Sequence, residues 1–308
     1  MVTEQRQSLP FWRKLKYSGF DYVNYFLVLV FLIIILYPLW YVLMASFSDI
    51  YALIDTPVLL SPVDFTLDAY KKVFETNEIW MGLKNSLLYT ACGTALNVFM
   101  TLITAYPLSR DTIPGKKWMM VLITMTMYIN GGMIPNYLVV DTLGMRNTIF
   151  ALILPGAVSA YLLIVSISFI KSTVPESIIE AARIDGCTHF QTFCRIIVPL
   201  SVPLIGVLSL QYGLNHWNSY TSALIYLDER NMYPLQLVLR EILIRTEVSS
   251  MMNDIMTMSY EIDYEQQVAL REGIKYVSMV VTSVPLLIIY PFLNKFFAKG
   301  LVLGGVKE

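Results

Sequence analysis

Cysteine and histidine are scarce, and ionisable side chains are missing from the places where coupled transport or catalysis would need them. The 308-residue chain has three cysteines, Cys92, Cys187 and Cys194, and two histidines, His189 and His216. These separations make neither a disulfide framework nor a metal-ligand set, so the thiols are expected to be free. Charged residues are only 15% of the chain against 56% hydrophobic, too apolar for an ordinary soluble domain. A net charge of -1 leaves no electrostatic footprint for nucleic acid. There is no glycine-rich loop of the form G-x-x-x-x-G-K-[S/T], so any ATP-derived energy has to come from a partner.

What the chain does have is long apolar runs, at about 25–44, 87–108, 118–140, 149–170, 200–214 and 276–293. A bilayer crossing needs roughly 20 residues, so these read as six spans of an all-α membrane protein. Ahead of the first span, Arg6, Arg13, Lys14 and Lys16 accompany Trp12, a basic apron that stays on the cytoplasmic side. The first span is read as uncleaved, being longer than the core of a signal peptide. With the amino terminus inside, the short cytoplasmic segments hold 13 of the 22 Lys and Arg residues. That bias sets both termini inside. The organisation expected is a cytoplasmic segment at 1–24, a six-span domain at 25–293 and a cytoplasmic tail at 294–308. Within the domain, a cytoplasmic loop covers 171–199 and a long extracytoplasmic loop covers 223–273.

The third span is interrupted at Asn130, Gly131, Gly132 and Pro135, and Pro155 with Gly156 predicts a kink in the fourth. An interruption at membrane depth survives only against protein or a water-filled cavity, so the first is either a pathway wall or a plain span end. No expected span holds an Asp, Glu, Lys, Arg or His in its interior. That argues against an ion-coupled secondary transporter, which keeps such groups in the membrane. A polytopic membrane enzyme is disfavoured too, because the two histidines fall on opposite faces of the membrane. Neutral groups remain: Tyr128 and Asn130 near the third span, and Gln211, Tyr212, Asn215, Trp217 and Asn218 near the fifth. Amides and aromatic faces suit a neutral sugar path, and they equally suit an aromatic belt with ordinary hydrogen bonds between helices.

The polar stretch 176–199, ESIIEAARIDGCTHFQTFCRIIVP, reads as two short helices joined at Gly186. Thr173 with Glu176 has capping-box spacing, Gly186 suits a left-handed helix end, and Thr188 with Gln191 repeats the box. Pro199 closes the second helix. Ile178, Ala181 and Ala182 form one narrow stripe, with Glu176, Glu180 and Arg183 on another face. On these grounds alone the segment is either a docking elbow or an ordinary helical loop.

The pattern Glu180-Ala181-Ala182, Gly186, Ile196 and Pro199 resembles the signature of permease subunits of bacterial ABC importers, with Val198 in place of leucine. ASFSD at 45–49, Asn85 with Ser86, YPLSR at 106–110, HWNSY at 216–220 and KGLVLGGVKE at 299–308 extend the likeness to the carbohydrate branch. The chain is similar to the smaller permease of the maltose system, and its ending is nearer to a branch associated with complex oligosaccharides. The resemblance implies a type I importer permease fold in the bacterial cytoplasmic membrane, with no catalytic residues and no cofactor of its own. It implies a second, non-identical permease, two ATPase subunits that bind ATP and Mg, and an extracytoplasmic sugar-binding protein. It assigns ATPase coupling to Glu180, Ala181, Ala182, Asp185, Gly186, Ile196 and Pro199. It assigns ATPase contact to the tail residues Lys299, Gly300, Gly304, Gly305 and Lys307. The segment around 248–272, with Met251, Met252, Met256 and Met258, is longer than the simplest pattern of this family.

Overall fold

The computed structural model describes residues 19–49, 52, 60–244, 273–289 and 291. The basic amino-terminal apron, the methionine-bearing segment and the tail residues Lys299, Gly300, Gly304, Gly305 and Lys307 lie outside the described residues. The chain divides into two compact units, Met1–Leu67 and Asp68–Glu308.

The first unit is built on α1 (Gly19–Ser46), a 28-residue helix with Pro38 inside it. It is apolar all round, so its surroundings have to be apolar. Past its end, Ser48 pairs with Phe65 in a short antiparallel bridge, and the Phe47 and Phe65 rings stack at 5.8 Å. Trp40 Nε1 donates to the Leu60 carbonyl at 3.1 Å.

The second unit is organised on α3 (Asn77–Leu108), 32 residues long, which follows the short amphipathic α2 (Asp68–Glu75). Behind it come α4 (Lys116–Tyr128), α5 (Met133–Thr142), α6 (Ile149–Ile153), α7 (Ala160–Thr173) and α8 (Glu176–Ile184). Then follow α9 (His189–Leu200), α10 (Val202–Trp217), α11 (Tyr220–Tyr226), α12 at 235–244 and α13 (Gly273–Ile289). By length and composition, α1 and α3 can each cross a membrane alone. Two bent pairs also qualify, α7 with α8 at 72° and α9 with α10 at 80°. The main core lies between α3, α7, α10 and the short helices α8 and α9, around Ile170, Val174, Ile197 and Leu208.

One expectation about the spans holds and two change. The third is broken where the glycines stand: α4 ends at Tyr128, Gly132 takes φ +87°, and α5 starts at Met133. The fourth is not kinked but interrupted over 154–159. Pro155 cannot donate to the helical ladder, and neighbouring helices take over the freed groups. Asn97 Nδ2 on α3 donates to the Gly156 carbonyl at 3.3 Å, and the Ser159 N–H donates to Tyr212 Oη on α10 at 3.1 Å. The fifth runs on to Trp217, which carries His216 into the packed interior at 8% exposure rather than leaving it at the interface.

The described part of the long loop, 223–244, is packed rather than pendant. Leu235, Leu237 and Leu239 are buried, and the amino-terminal half of α3 holds the segment by side-chain bonds to backbone. Asn85 Nδ2 donates to the carbonyls of Asn231 at 2.7 Å and Tyr233 at 3.1 Å. Tyr89 Oη donates to the Met232 carbonyl at 2.9 Å, and Ser86 Oγ accepts from the Leu235 N–H at 2.8 Å.

Candidate functional site

The elbow forms where the polar stretch stands, and its local chemistry explains its shape. Helix α8 ends in a full left-handed cap: Gly186 has φ +78°, its N–H donates to the Arg183 carbonyl at 3.0 Å, and the Cys187 N–H reaches the Ala182 carbonyl at 2.9 Å. Two residues later Thr188 Oγ1 accepts from the Gln191 N–H at 3.3 Å while Gln191 Oε1 accepts from the Thr188 N–H at 2.9 Å, a closed capping box. The first predicted box does not form. Thr173 ends α7, and Pro175 stands at the start of α8 with no side-chain cap, because the chain turns by 72° within those two residues.

The stripe also differs from the expected one. Ile179 and Ala182 face inward at 2% and 5% exposure, while Ile178 and Ala181 face out with Glu180 and Asp185. Inward, Ile179, Phe193 and Ile197 join Ala105 and Tyr106 of α3, Ile170 of α7 and Val174 just past its end in one core. Burying each isoleucine is worth about 2 kcal/mol, so the elbow is fastened to the spans. Helix α9 passes through a π turn at Phe193–Ile197, with Ile196 half-buried in it, and Pro199 lies in its last turn with the helix running to Leu200.

A polar clamp that the spacing of residues alone does not reveal holds the hinge between α7 and α8. Arg110, at 7% exposure, donates from Nη1 to the Val174 carbonyl at 3.0 Å. Next to it Asp111 bridges Lys116 at 2.9 Å and Lys171 at 3.3 Å. The Lys116 hydrogen bond, and after it that of Lys171, holds the Asp111 carboxyl below its ordinary range. The YPLSR run at 106–110 was the only signal for this clamp in the sequence.

The neutral cluster near the fifth span separates into two sets. Tyr212 and Trp217 are each 2% exposed and fully engaged inside the protein. Tyr212 Oη shares a 2.7 Å hydrogen bond with Thr101 Oγ1, and Trp217 Nε1 donates to the Thr282 carbonyl at 3.1 Å. Asn97 Nδ2 donates to His216 Nε2 at 3.0 Å. Gln211, Asn215 and the capping residue Asn218, at i, i+4 and i+7, make an exposed polar stripe on α10 and its carboxyl end. Tyr128, at 83% exposure, and Asn130 lie at the break between α4 and α5, with Asn130 Oδ1 accepting from the Gly132 N–H at 3.0 Å. Among the described residues no group of His, Cys, Asp and Glu could hold a metal, and Cys92, Cys187 and Cys194 are unbridged.

The elbow thus has a buried apolar inner face and an outer face that mixes Ile178, Ala181 and Ile184 with Glu180 and Asp185. Residues 79–303 match the family of binding-protein-dependent transport system inner membrane components. The polygalacturonan/rhamnogalacturonan transport system permease protein YtcP of Bacillus subtilis (strain 168) is 38% identical over 288 residues, 94% of this chain and 98% of that one. Protein LplC of the same organism is 38% identical over 270 residues, 88% of each. The crystal structure of a bacterial ABC transporter involved in the import of the acidic polysaccharide alginate superposes with a TM-score of 0.79 at 26% identity. The match covers 91% of this chain and 99% of that one. Such permeases are not themselves enzymes, and the family in general works with an ATPase, a binding protein and a second permease. The chain belongs to the binding-protein-dependent transport system inner membrane components, as the permease component of an ABC importer for sugars or oligosaccharides.

Proposed function

We propose that this chain is one of two non-identical permeases of an importer in the bacterial cytoplasmic membrane, with six spans and both termini inside. Two ATPase subunits, which carry the ATP and Mg, drive it through the elbow, and an extracytoplasmic binding protein delivers the cargo. The observation that carries this reading is the outer face of the elbow. Ile184 is 86% exposed on α8, where Ile178 and Ala181 are exposed too, and Phe190 is 66% exposed on α9, while Ile179, Phe193 and Ile197 are locked into the core. Exposed apolar groups on a polar segment favour a docking surface. Glu180, Ala181, Ala182, Asp185, Gly186, Ile196 and Pro199 set its shape, and the tail residues Lys299, Gly300, Gly304, Gly305 and Lys307 add a second contact with the ATPase. Coupling requires the elbow to bind the ATPase differently in its two states. Affinity purification from the native membrane tests the assembly. The expected result is an ATPase and a second permease recovered with the chain; a chain recovered alone and still active in uptake overturns it.

The cargo in this reading is an acidic oligosaccharide. Two of the similar proteins are named for polygalacturonan/rhamnogalacturonan and for the acidic polysaccharide alginate. In this chain the Arg240 guanidinium lies 4.9 Å from the centre of the Tyr220 ring, exposed and without an acidic partner among the described residues. A cation beside an aromatic face suits a uronate, whose carboxylate takes the guanidinium while its ring lies on the tyrosine. The amide stripe Gln211, Asn215 and Asn218 supplies partners for neutral hydroxyls further along. Uptake by Arg240→Gln is expected to fall roughly tenfold for a galacturonate trimer and little for a neutral trimer, the loss of one charge-assisted bond. An equal fall for both sugars returns Arg240 to a structural role.

A further inference from the structure

Between the carboxyl end of α3 and the elbow lies a cavity of about 520 Å³, whose lining includes Ile103, Tyr106, Arg110, Arg183, His189 and Phe190. Its two ends differ in chemistry. Ile103 stands more than a turn inside α3, a helix long and apolar enough to span, and is 37% exposed. Arg183 and His189 stand on the elbow, and Arg110 lies at the junction of helix and elbow.

Arg110 is the unusual member. It is 7% exposed, the one hydrogen bond of its guanidinium goes to the Val174 carbonyl, and Nε and Nη2 have no hydrogen-bond partner. The guanidinium lies 5.9 Å from the centre of the Tyr106 ring, a contact that favours the cation without neutralising it. Neither Arg110 nor Arg183 has an acidic partner among the described residues; Asp111, the nearest carboxylate in sequence, is taken by Lys116 and Lys171. A buried cation is normally accompanied by an anion, because desolvation is otherwise uncompensated. Among the described residues the protein supplies none.

We propose that this cavity binds the phosphate headgroup of an anionic membrane phospholipid. Arg110, Arg183 and His189 surround the phosphate, and the acyl chain follows Ile103 along α3. Guanidinium groups match phosphate oxygens in geometry as well as charge, and basic pockets between transmembrane helices at the cytoplasmic face take anionic headgroups. The volume lies in the range of small-molecule sites. A free phosphate satisfies only the cationic end and leaves the apolar end empty. An acidic side chain of the ATPase is the competing occupant. The proposal rests on the elbow lying at the cytoplasmic surface of the membrane. A bound lipid joins α3 to α8 and α9 across the same hinge that Arg110 holds, so the stiffness of the elbow follows the anionic lipid content of the membrane.

The test uses the whole purified importer in phosphatidylcholine discs containing a fixed share of phosphatidylglycerol, with retained lipid counted by native mass spectrometry. Arg183→Gln is the main variant, since Arg183 is exposed and its loss leaves the fold intact; Arg110→Lys is the second. Wild type is expected to retain phosphatidylglycerol over phosphatidylcholine, and Arg183→Gln to retain roughly fivefold less, while millimolar inorganic phosphate displaces none of it. Equal retention by wild type and both variants overturns the site. Displacement by inorganic phosphate makes it a free-anion site and overturns the lipid. Retention that begins only once the ATPase is stripped away assigns the cavity to an ATPase carboxylate and overturns it as well. ATPase recovery from the same samples scores the coupling reading separately, so a wild type that retains no phosphatidylglycerol while the ATPase is recovered counts against the lipid site alone.

Discussion

Replacing Gly186 with valine is expected to leave the importer assembled in the membrane, with ATP hydrolysis running and sugar uptake reduced at least tenfold. The reasoning starts from φ +78°, where a residue with a side chain is strained by roughly 1–2 kcal/mol and a β-branched one by more. No atom lies within 4 Å of an added Cβ, so there is no clash to relieve and the strain falls on the backbone itself. The helix end gives way at the weakest point, the two cap bonds from the Gly186 and Cys187 N–H groups. Losing them changes the angle between α8 and α9 and with it the spacing of Ile184 and Phe190. The inner anchors Ile179, Phe193 and Ile197 are untouched, so the protein still folds. Gly186→Asn is the control, since asparagine tolerates the left-handed region and should retain most uptake. The readout is paired ATPase and uptake rates in proteoliposomes; tightly coupled, full uptake by the valine variant refutes the elbow assignment.

Gly93→Ala is expected to lower the stability of the detergent-solubilised protein by about 1–3 kcal/mol, a large effect for one methyl group. A Cβ at that position would stand 2.5 Å from His216 Nε2 and 2.7 Å from two ring carbons. The ring cannot swing away freely, because Asn97, one turn further along α3, holds Nε2 at 3.0 Å. The helices α3 and α10 would therefore have to separate along their principal contact. Removing the ring should remove the penalty. In a His216→Ser background the same Gly93→Ala change is expected to be neutral or slightly stabilising, since alanine is the better helix residue by roughly 0.5–1 kcal/mol. Thermal melting of the four proteins of the cycle isolates the coupling. The same loss in both backgrounds would mean that Gly93 matters for some reason other than this contact.

Which parts were legible in the sequence follows from the range of the interactions. Gly186 and the Thr188–Gln191 box were readable because both are settled within four residues of chain. Thr173 has the same spacing as Thr188, yet it fails as a cap because α7 extends through it, and the extent of α7 depends on packing against α3 and α10. The same distinction applies to the inward face of α8. Periodicity groups Ile178 with Ala182 as readily as Ile179 with Ala182, and only the surrounding core chooses Ile179. Near the fifth span, composition grouped Gln211, Tyr212, Asn215, Trp217 and Asn218 but could not sort them. Tyr212 and Trp217 are buried by partners 111 and 65 residues away in sequence, at Thr101 and Thr282. Asn97 escaped notice for the same reason, its partner lying 119 residues away, and the YPLSR run pointed to Arg110 but not to its partner 64 residues away.

The two fastenings of α3 have a mechanical meaning. Asn85, Ser86 and Tyr89 grip residues 231–235 at one end, and Arg110, just past the other end, grips the carbonyl of Val174. At 1.5 Å per residue about 33 Å separates Ser86 from Leu108 along one helix, with Arg110 two residues past its end. A helix is stiff along its axis, so a displacement of the 231–235 segment parallel to α3 arrives at the elbow nearly undiminished, with no chain of side-chain rearrangements in between. The amplitude of such a stroke is limited by the give in four hydrogen bonds at one end and one guanidinium at the other.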